Sequence, residues 1–293
     1  MTIVVKIGGA RAVEPEGALA DIAHLTANGE RVVVVHGGST AVDELLADLG
    51  KEPEYVTTPG GVSGRFTDEK TMEAFTMAMA GQVNTDLTTA LQNEGVNALG
   101  LSGVDGGLLT GPRKSAVRVI EDGKKKIKRG DHSGKIEHVN SELLETLLDS
   151  GYTPIVSVPM LGDDSGVASE TQRGGGGGTA VTPVNADADR AAAAVAGALG
   201  ASLVVLTDVS GVYEDPDDPE TLIETAETPA DLEKVEEAAE GFMTKKVMAA
   251  KEALSGGANE VIVSDANLND PILAALDGHG TRFTPDALGG EGE

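Results

Sequence analysis

The sequence has 293 residues, with 48 acidic and 22 basic side chains and a formal net charge of −26 at pH 7. It contains no cysteine, which excludes disulfide frameworks, thiolate zinc sites and cysteine nucleophiles. A surface this acidic repels nucleic acid phosphates, and no stretch is long and apolar enough to predict a membrane span. We therefore expect neither nucleic acid nor a membrane as a partner.

The apolar share is an ordinary 40%, so we interpret the acid as a coat on a folded protein rather than as a mark of disorder. Such a coat is typical of proteins from a high-salt cytoplasm, where dense salt screens the repulsion between like charges. Residues 1–9 follow a strand pattern and lack the features of a secretory signal. We predict a cytoplasmic protein from a halophilic source.

Short β-branched runs alternate along the chain with longer stretches rich in Ala, Leu and Glu. This rhythm predicts an α/β fold in which helices cover a mostly parallel central sheet. Ligands of such sheets bind beyond the carboxyl ends of the strands. The predicted strands are 3–7, 31–35, 97–101, 154–158, 202–206 and 260–264.

The first two predicted strands end in glycine-rich turns, KIGG at positions 6–9 and HGGS at positions 36–39. Glycine lets backbone N–H groups approach an oxyanion, and a helix N-terminus adds positive potential. Either turn alone also fits a simple tight turn. Lys6 ends an apolar strand, where burial without an anionic partner is costly. The two turns together therefore predict a phosphate cradle.

Other motifs leave more than one interpretation open. The NADADR run at 185–190 fits a functional cluster or an ordinary helix start with favourable acids. Lys245 and Lys246 fit a functional site or a solvated helix surface. The 130–136 segment is too short between its glycines for a Walker A loop and lacks the Ser/Thr after its lysine. The five histidines show no zinc-ligand spacing, so we predict no metal site of the protein's own.

A basic island interrupts the acidic chain between positions 113 and 135. It holds nine basic residues against three acidic ones, while the remaining positions have 13 basic and 45 acidic residues. The segments 117–120 and 124–127 flank the turn residues Glu121-Asp122-Gly123, which predicts a β-hairpin. A solvated hairpin with fortuitous charge is the alternative. We favour a docking site for an acidic macromolecule.

Seven motifs follow one another in an order typical of a known family: KIGG, VVHGGS, YVTTPGGVSGRFTD, NALGLSGVDGG, NADADRAA, LTDVSGVY and MTKK. Over nearly its whole length the chain resembles the N-acetylglutamate kinase family of the amino-acid kinase superfamily. The segments 55–68 and 97–109 resemble more closely the branch that acts on LysW-type amino-group carrier proteins. The resemblance implies a three-layer, carbamate kinase-like fold of two lobes, with substrate in residues 1–195 and ATP in residues 196–293.

The resemblance also implies roles for twelve residues. The catalytic set is Lys6 and Lys246, which stabilise the transferring phosphoryl group, and Asp189, which orients both lysines. The substrate set is Gly38, Ser39, Arg65 and Asn185. Within it, Arg65 pairs with the α-carboxylate of the substrate. The nucleotide set is Gly8, Gly9, Asp208, Gly211 and Tyr213, with ATP and Mg²⁺ as cofactors. At position 39 the family usually has glycine rather than serine.

The function implied is phosphorylation of a side-chain carboxylate by ATP, giving an acyl phosphate. The substrate would be glutamate, and also 2-aminoadipate, attached to an acidic LysW-type carrier protein in arginine or lysine biosynthesis. A homodimer is expected. The nearest alternative is an N-acetylglutamate kinase that acts on the free small molecule. A second alternative is a non-catalytic protein that senses nucleotide and binds an acidic partner.

Overall fold

The computed structural model describes residues 1–8, 16–61, 63–121, 123–163 and 180–289, without the side chain of Phe242. Gly9 and the 174–178 glycine run lie outside these residues. The strands are β1 (Thr2–Ile7), β2 (Arg31–His36), β3 (Tyr55–Thr57), β4 (Ser63–Arg65), β5 (Ala98–Gly103), β6 (Leu109–Glu121), β7 (Lys124–Gly134), β8 (His138–Val139), β9 (Thr153–Asp163), β10 (Val181–Val184), β11 (Ser202–Thr207), β12 (Thr225–Ala226), β13 (Glu260–Asp265) and β14 (Thr281–Phe283).

The helices are α1 (Glu16–Ala27), α2 (Ser39–Asp48), α3 (Glu69–Thr76), α4 (Asn84–Asn93), α5 (Ser141–Asp149), α6 (Ala188–Leu199), α7 (Pro229–Ala238), α8 (Phe242–Ser255) and α9 (Pro271–Leu276). A π-helical segment, Met77–Val83, joins α3 to α4. In the described part of the chain, no helix combines the length and the apolar character needed to cross a bilayer.

The core of the main sheet is parallel, in the order β13, β11, β1, β2, β9, β5. These are the six strands that the sequence predicts. Strand β9 continues past the predicted end at 158, because Met160 to Asp163 pair with the antiparallel β10 and Leu161 to Asp163 also pair with β6. Strand β14 adds an antiparallel neighbour beside β13.

Helices cover both faces of this sheet. Alternate residues of β1 enter different clusters, with Ile3 and Val5 on one face and Val4 on the other. One cluster contains apolar residues of α1, α4 and α9, and the other contains those of α2, α5, α6, α7 and α8. The predicted three-layer α/β architecture is therefore confirmed. The predicted division into lobes at residue 195 stays a prediction, and that position falls inside α6.

Helices α6 and α8 pack closely because α6 is built from small residues. A Cβ atom placed on Gly197 would lie 2.9 Å from the backbone carbonyl carbon of Gly256, which directly follows α8. This contact joins the carboxyl ends of the two helices. Their amino ends, with Asp189 and Lys246, meet at the carboxyl edge of the sheet.

Candidate active site

Two lysines and one aspartate meet where β1 ends. The Lys6 Nζ atom lies 2.7 Å from Asp189 Oδ1, and the Lys246 Nζ atom lies 3.6 Å from Asp189 Oδ2. The three side chains are between 7% and 12% exposed. Asp187 caps α6 by accepting hydrogen bonds from the backbone N–H groups of Asp189 and Arg190. The helix start thus fixes the carboxylate between two cations that come from β1 and α8.

The pKa shifts agree with this charge arrangement. Burial raises the pKa of Asp189, but attraction to Lys6 and Lys246 outweighs it and holds the pKa below its ordinary value. Burial lowers the pKa of the Lys246 ammonium, and the charge on Lys6 lowers it further, while Asp189 opposes both effects. One carboxylate shared by two buried ammonium groups leaves a net positive charge, which suits an incoming anion.

The end of β1 lies beside the second glycine turn. The Gly37 N–H group donates to the Ile7 carbonyl at 3.0 Å, and Ile7 pairs with His36 across the parallel strands. Gly38 immediately precedes α2, and a Cβ atom there would meet Met79 Sδ at 2.6 Å. Since Ser39 begins α2, the free N–H groups of this helix start face the same edge of the sheet.

The buried side chain of His36 supports the second glycine turn through hydrogen bonds. It is 1% exposed, and its Nδ1 atom lies 2.9 Å from the Gly37 carbonyl oxygen, so the neutral ring donates from Nδ1. Its Nε2 atom then accepts from Asn84 Nδ2 at 3.0 Å. Burial lowers the pKa of His36 to about 4, which keeps the ring neutral. This pair cannot be predicted from the sequence, because His36 and Asn84 are far apart along the chain.

Arg65 lies against the start of α2. Its guanidinium is ion-paired with Asp43 and donates to the Ser39 carbonyl and to the Tyr55 hydroxyl, both at 3.0 Å. The Tyr55 ring also lies 5.1 Å from the guanidinium carbon. Arg65 and Ser39, both predicted to bind substrate, are therefore in direct contact. The roles of Asp43 and Tyr55 cannot be predicted from the sequence, since only the folded chain brings them to Arg65.

Asn185 is held by the end of the β6–β7 hairpin. Its N–H group donates to the His132 carbonyl at 2.7 Å, and its carbonyl accepts from Gly134 N–H at 2.9 Å. Its side-chain amide donates to Thr67 Oγ1 at 2.9 Å. Asn185, which was predicted to bind substrate, is thus hydrogen-bonded directly to β7, a strand of the basic island.

The residues predicted to bind nucleotide are less closely grouped. Gly8 directly follows β1, and Asp208 is exposed just after β11, so both lie at the carboxyl edge of the sheet. Gly211 is buried, and a Cβ atom there would meet Thr281 Oγ1 at 2.5 Å, which gives this glycine a packing role. Tyr213 forms an isolated bridge with Leu222.

Comparison with known proteins identifies the family. The sequence model of the amino acid kinase family matches residues 1–265 of this chain. The chain belongs to the amino acid kinase family. The predicted family and the prediction of a phosphotransferase are thereby confirmed.

Three curated relatives match this kinase over nearly all of its length. A LysW-aminoadipate kinase of Deinococcus radiodurans is 42% identical over 281 residues, 95% of this chain and 90% of that protein. An acetylglutamate kinase of Methanopyrus kandleri is 40% identical over 281 residues, 95% and 98% of the two chains. A LysW-aminoadipate/LysW-glutamate kinase of Saccharolobus islandicus is 35% identical over 283 residues, again 95% and 98%.

A solved structure supports the fold of this amino acid kinase. The N-acetylglutamate synthase from Neisseria gonorrhoeae, complexed with coenzyme A and N-acetyl-glutamate, superposes with a TM-score of 0.72 at 26% identity. The match covers 97% of this chain and 59% of the synthase, so the kinase chain spans about three fifths of that protein.

The basic island of this kinase forms the predicted hairpin. Strands β6 and β7 pair from Glu121 and Lys124 at the tip back to Arg113 and Gly134. On one face Val119 is buried, Lys128 lies 4.3 Å from the Phe66 ring, and Lys126 pairs with Glu121 at 2.8 Å. The pairing register places the following residues on the opposite, outward face: Arg118, Ile120, Lys125, Ile127 and Arg129.

The outward face combines charge with exposed apolar area. Ile120 is 37% exposed and Ile127 is 64% exposed. In the register, Arg118 lies opposite Ile127, and Lys125 lies opposite Ile120. Each isoleucine is thus flanked by a cation, and the face differs sharply from the acidic remainder of the chain.

Proposed function

We propose that this kinase transfers the γ-phosphate of ATP to the side-chain carboxylate of glutamate or 2-aminoadipate attached to an acidic LysW-type carrier protein. The product is an acyl phosphate on the carrier-bound amino acid. The observation that carries the phosphoryl-transfer part is the ion cluster of Lys6, Asp189 and Lys246 beside the two glycine turns.

The chemistry requires charge balance rather than a general base. A glutamate side chain has a pKa of about 4.3 and is already ionised at neutral pH. In this proposal Lys6 and Lys246 neutralise the oxygens of the transferring group, and Asp189 keeps the two ammonium groups together at the edge of the sheet. Amide groups of the turns at Gly8 and Gly38 add further donors. Arg65 and Asn185 orient the amino acid.

The nucleotide supplies the phosphoryl group, and Mg²⁺ supplies charge neutralisation on the phosphates. Among the described residues, no group of three or more His, Cys, Asp or Glu side chains is arranged to hold a metal. In kinases in general, Mg²⁺ is held by one or two carboxylates together with the phosphate oxygens and water. Asp208, exposed at the end of β11, and Tyr213 lie in the part proposed to bind ATP.

The β6–β7 hairpin supports a carrier protein as the bearer of the substrate. Its outward face is basic and partly apolar, which suits an acidic protein surface. The open end of the same hairpin is joined to Asn185 by the backbone hydrogen bonds of His132 and Gly134. A carrier docked on the hairpin would therefore lie next to the substrate residues. A free small molecule does not require such a face.

A second candidate is an N-acetylglutamate kinase, which shares the chemistry and uses a free substrate. The acetylglutamate kinase of Methanopyrus kandleri, 40% identical to this chain, favours it. The LysW kinases of Deinococcus radiodurans and Saccharolobus islandicus, together with the outward basic face, favour the carrier-bound substrate. The ion cluster speaks against a non-catalytic nucleotide sensor, because buried cations of this kind suit a developing charge.

The acidic coat supports a further proposal about the setting of the reaction. A formal charge of −26 is best tolerated in concentrated salt, which screens the repulsion within the folded chain. We place the kinase in the cytoplasm of a halophile, in arginine or lysine biosynthesis, as a homodimer.

The phosphoryl-transfer proposal is tested by incubating the purified chain with ATP, Mg²⁺ and glutamate-linked carrier protein, and trapping the product with hydroxylamine. The expected product is a hydroxamate on the carrier, detected by intact-protein mass spectrometry and lost in Lys6→Met. Equal hydroxamate formation by Lys6→Met would contradict the role of the ion cluster.

A further inference from the structure

The β3–β4 hairpin is a small ribbon that stands apart from the main sheet. It consists of two three-residue strands, Tyr55 pairing with Arg65 at one end and Thr57 with Ser63 at the other. Among the residues that the structure describes, these strands pair only with each other. A two-stranded ribbon of this size is marginally stable alone. Its position therefore depends on contacts with neighbouring elements.

One end of the ribbon is fixed to α2. Arg65 pairs with Asp43 and donates to the Ser39 carbonyl, and the Tyr55 hydroxyl donates to Asp43 at 2.9 Å. These contacts tie the ribbon to the helix that begins at the second glycine turn. They hold Arg65 on the substrate side of the site.

The other end of the ribbon contacts α8. The Lys245 Nζ atom donates to the Ser63 carbonyl at 2.6 Å. Lys245 directly precedes Lys246, whose ammonium points to Asp189. Successive helical residues point about 100° apart, so the first turn of α8 presents one lysine to the ion cluster and the other to the ribbon.

We propose that Lys245 is a positioning residue, which holds the β3–β4 ribbon, and with it Arg65, in register with Lys246 across the site. The inference rests on the proposed function, since it gives Arg65 a substrate to bind. The ribbon contacts α2 through Arg65 at one end and α8 through Ser63 at the other. Losing the α8 contact frees the Ser63 end and loosens the geometry of Arg65 toward the acceptor.

The kinetic test uses Lys245→Met, which removes the ammonium and keeps a side chain of similar length. A hydrogen bond of this kind corresponds to a rise of about 3- to 10-fold in KM for the acceptor. The KM for ATP and the kcat value stay within about twofold of the wild type. Lys245→Arg, which keeps the charge and the donor, restores the acceptor KM. Lys251→Met, on the same helix and paired with Glu236, is the matched control and changes neither constant.

A second measurement reads the ribbon directly and does not depend on the substrate. Hydrogen exchange of the full chain is followed by mass spectrometry for peptides that contain residues 55–57 and 63–65. Lys245→Met accelerates exchange there relative to the wild type and to Lys251→Met, while the β1 and α6 peptides are unchanged. Unchanged exchange in the ribbon overturns the proposal even if the kinase acts as proposed.

The two measurements together separate the possible failures. A rise in the KM for ATP with an unchanged acceptor KM overturns the proposal and assigns Lys245 to the nucleotide. Faster ribbon exchange with an unchanged acceptor KM also overturns it, because the ribbon then does not position Arg65. If the wild-type chain phosphorylates no carrier-linked or free acceptor, the proposed function fails, and the exchange result still tests the contact between Lys245 and Ser63.

Discussion

Lys6 and Lys246 are joined through a single carboxylate, that of Asp189, which is 11% exposed. The two lysines belong to β1 and to α8, and the carboxylate belongs to the first turn of α6. Without that carboxylate, two buried ammonium groups would face each other. Asp189 therefore sets both the geometry and the charge state of the site.

Asp189→Asn removes the negative charge while keeping the size of the side chain. We expect kcat to fall by about 100-fold or more, since the lysines lose their orientation, and stability to fall by about 3–5 kcal/mol, as when a buried ion pair loses one partner. Urea unfolding and steady-state kinetics measure the two effects. Glu252→Gln, which alters the partly exposed pair with Arg190 on the same two helices, is the control. An Asp189→Asn variant with wild-type kcat would contradict the role of the cluster.

The outward face of the basic hairpin can be reversed without touching its inner face. In Lys125→Glu/Arg129→Glu we expect the Kd for the carrier protein to rise about 10-fold or more, because attraction becomes repulsion. Lys126 and Lys128 stay in their contacts with Glu121 and Phe66. Titration calorimetry in fixed salt measures the change.

The matched control for the hairpin variant is Lys234→Glu/Lys251→Glu, which changes the net charge by the same amount at the pairs with Glu214 and Glu236. We expect this control to bind the carrier almost as the wild type does. Equal weakening in both double variants would mean that net charge, and not the outward face, governs binding.

His36 predicts a pH dependence of stability. Its pKa in the folded chain is lowered to about 4 from the ordinary 6.5, so between these values the unfolded chain binds more protons. Stability therefore falls as the pH drops from about 6.5 toward 4, by about 3 kcal/mol for this group. Urea unfolding across that range measures how the free energy of unfolding depends on pH. In His36→Gln this dependence should be shallower, by the equivalent of about one proton. An identical slope in the variant would place the titration elsewhere.

The acidic coat predicts that salt stabilises the fold. Raising KCl from about 0.1 M to molar concentrations shortens the Debye length from about 10 Å to about 3 Å and so weakens the repulsion. We expect the thermal midpoint to rise steadily over this range. A chloride series with Na⁺ in place of K⁺ separates screening from ion-specific effects. A midpoint that falls with salt would argue against a halophilic setting.

The parallel core could be predicted from sequence because runs such as those containing Val33 and Val204 are β-branched and bounded by turns. The approach of the second glycine turn to the end of β1 follows from the parallel pairing of β1 and β2. The contacts that set Arg65 could not be predicted in this way, since Asp43, Ser39 and Tyr55 reach it only through tertiary packing. The same holds for Lys245, which the sequence could not distinguish from a solvated helix lysine.

The β6–β7 hairpin could be predicted in part. Its pairing was predicted from the turn residues Glu121-Asp122-Gly123 between the segments 117–120 and 124–127. The sequence alone does not show which of its lysines face outward. In the folded chain Lys126 contacts Glu121, and Lys128 contacts Glu54 and the Phe66 ring. The pairing register of the folded chain places Lys125 and Arg129 on the opposite face of the hairpin from Lys126 and Lys128.

The substrate comparison tests the central claim most directly. ATP consumption is measured in molar KCl with Mg²⁺ for carrier-linked glutamate, carrier-linked 2-aminoadipate and free N-acetylglutamate, each with hydroxylamine present. We predict kcat/KM at least about 100-fold higher for a carrier-linked substrate than for N-acetylglutamate, with hydroxamate formed in proportion to ADP. Turnover of N-acetylglutamate alone would contradict the account and leave the outward basic face without a partner.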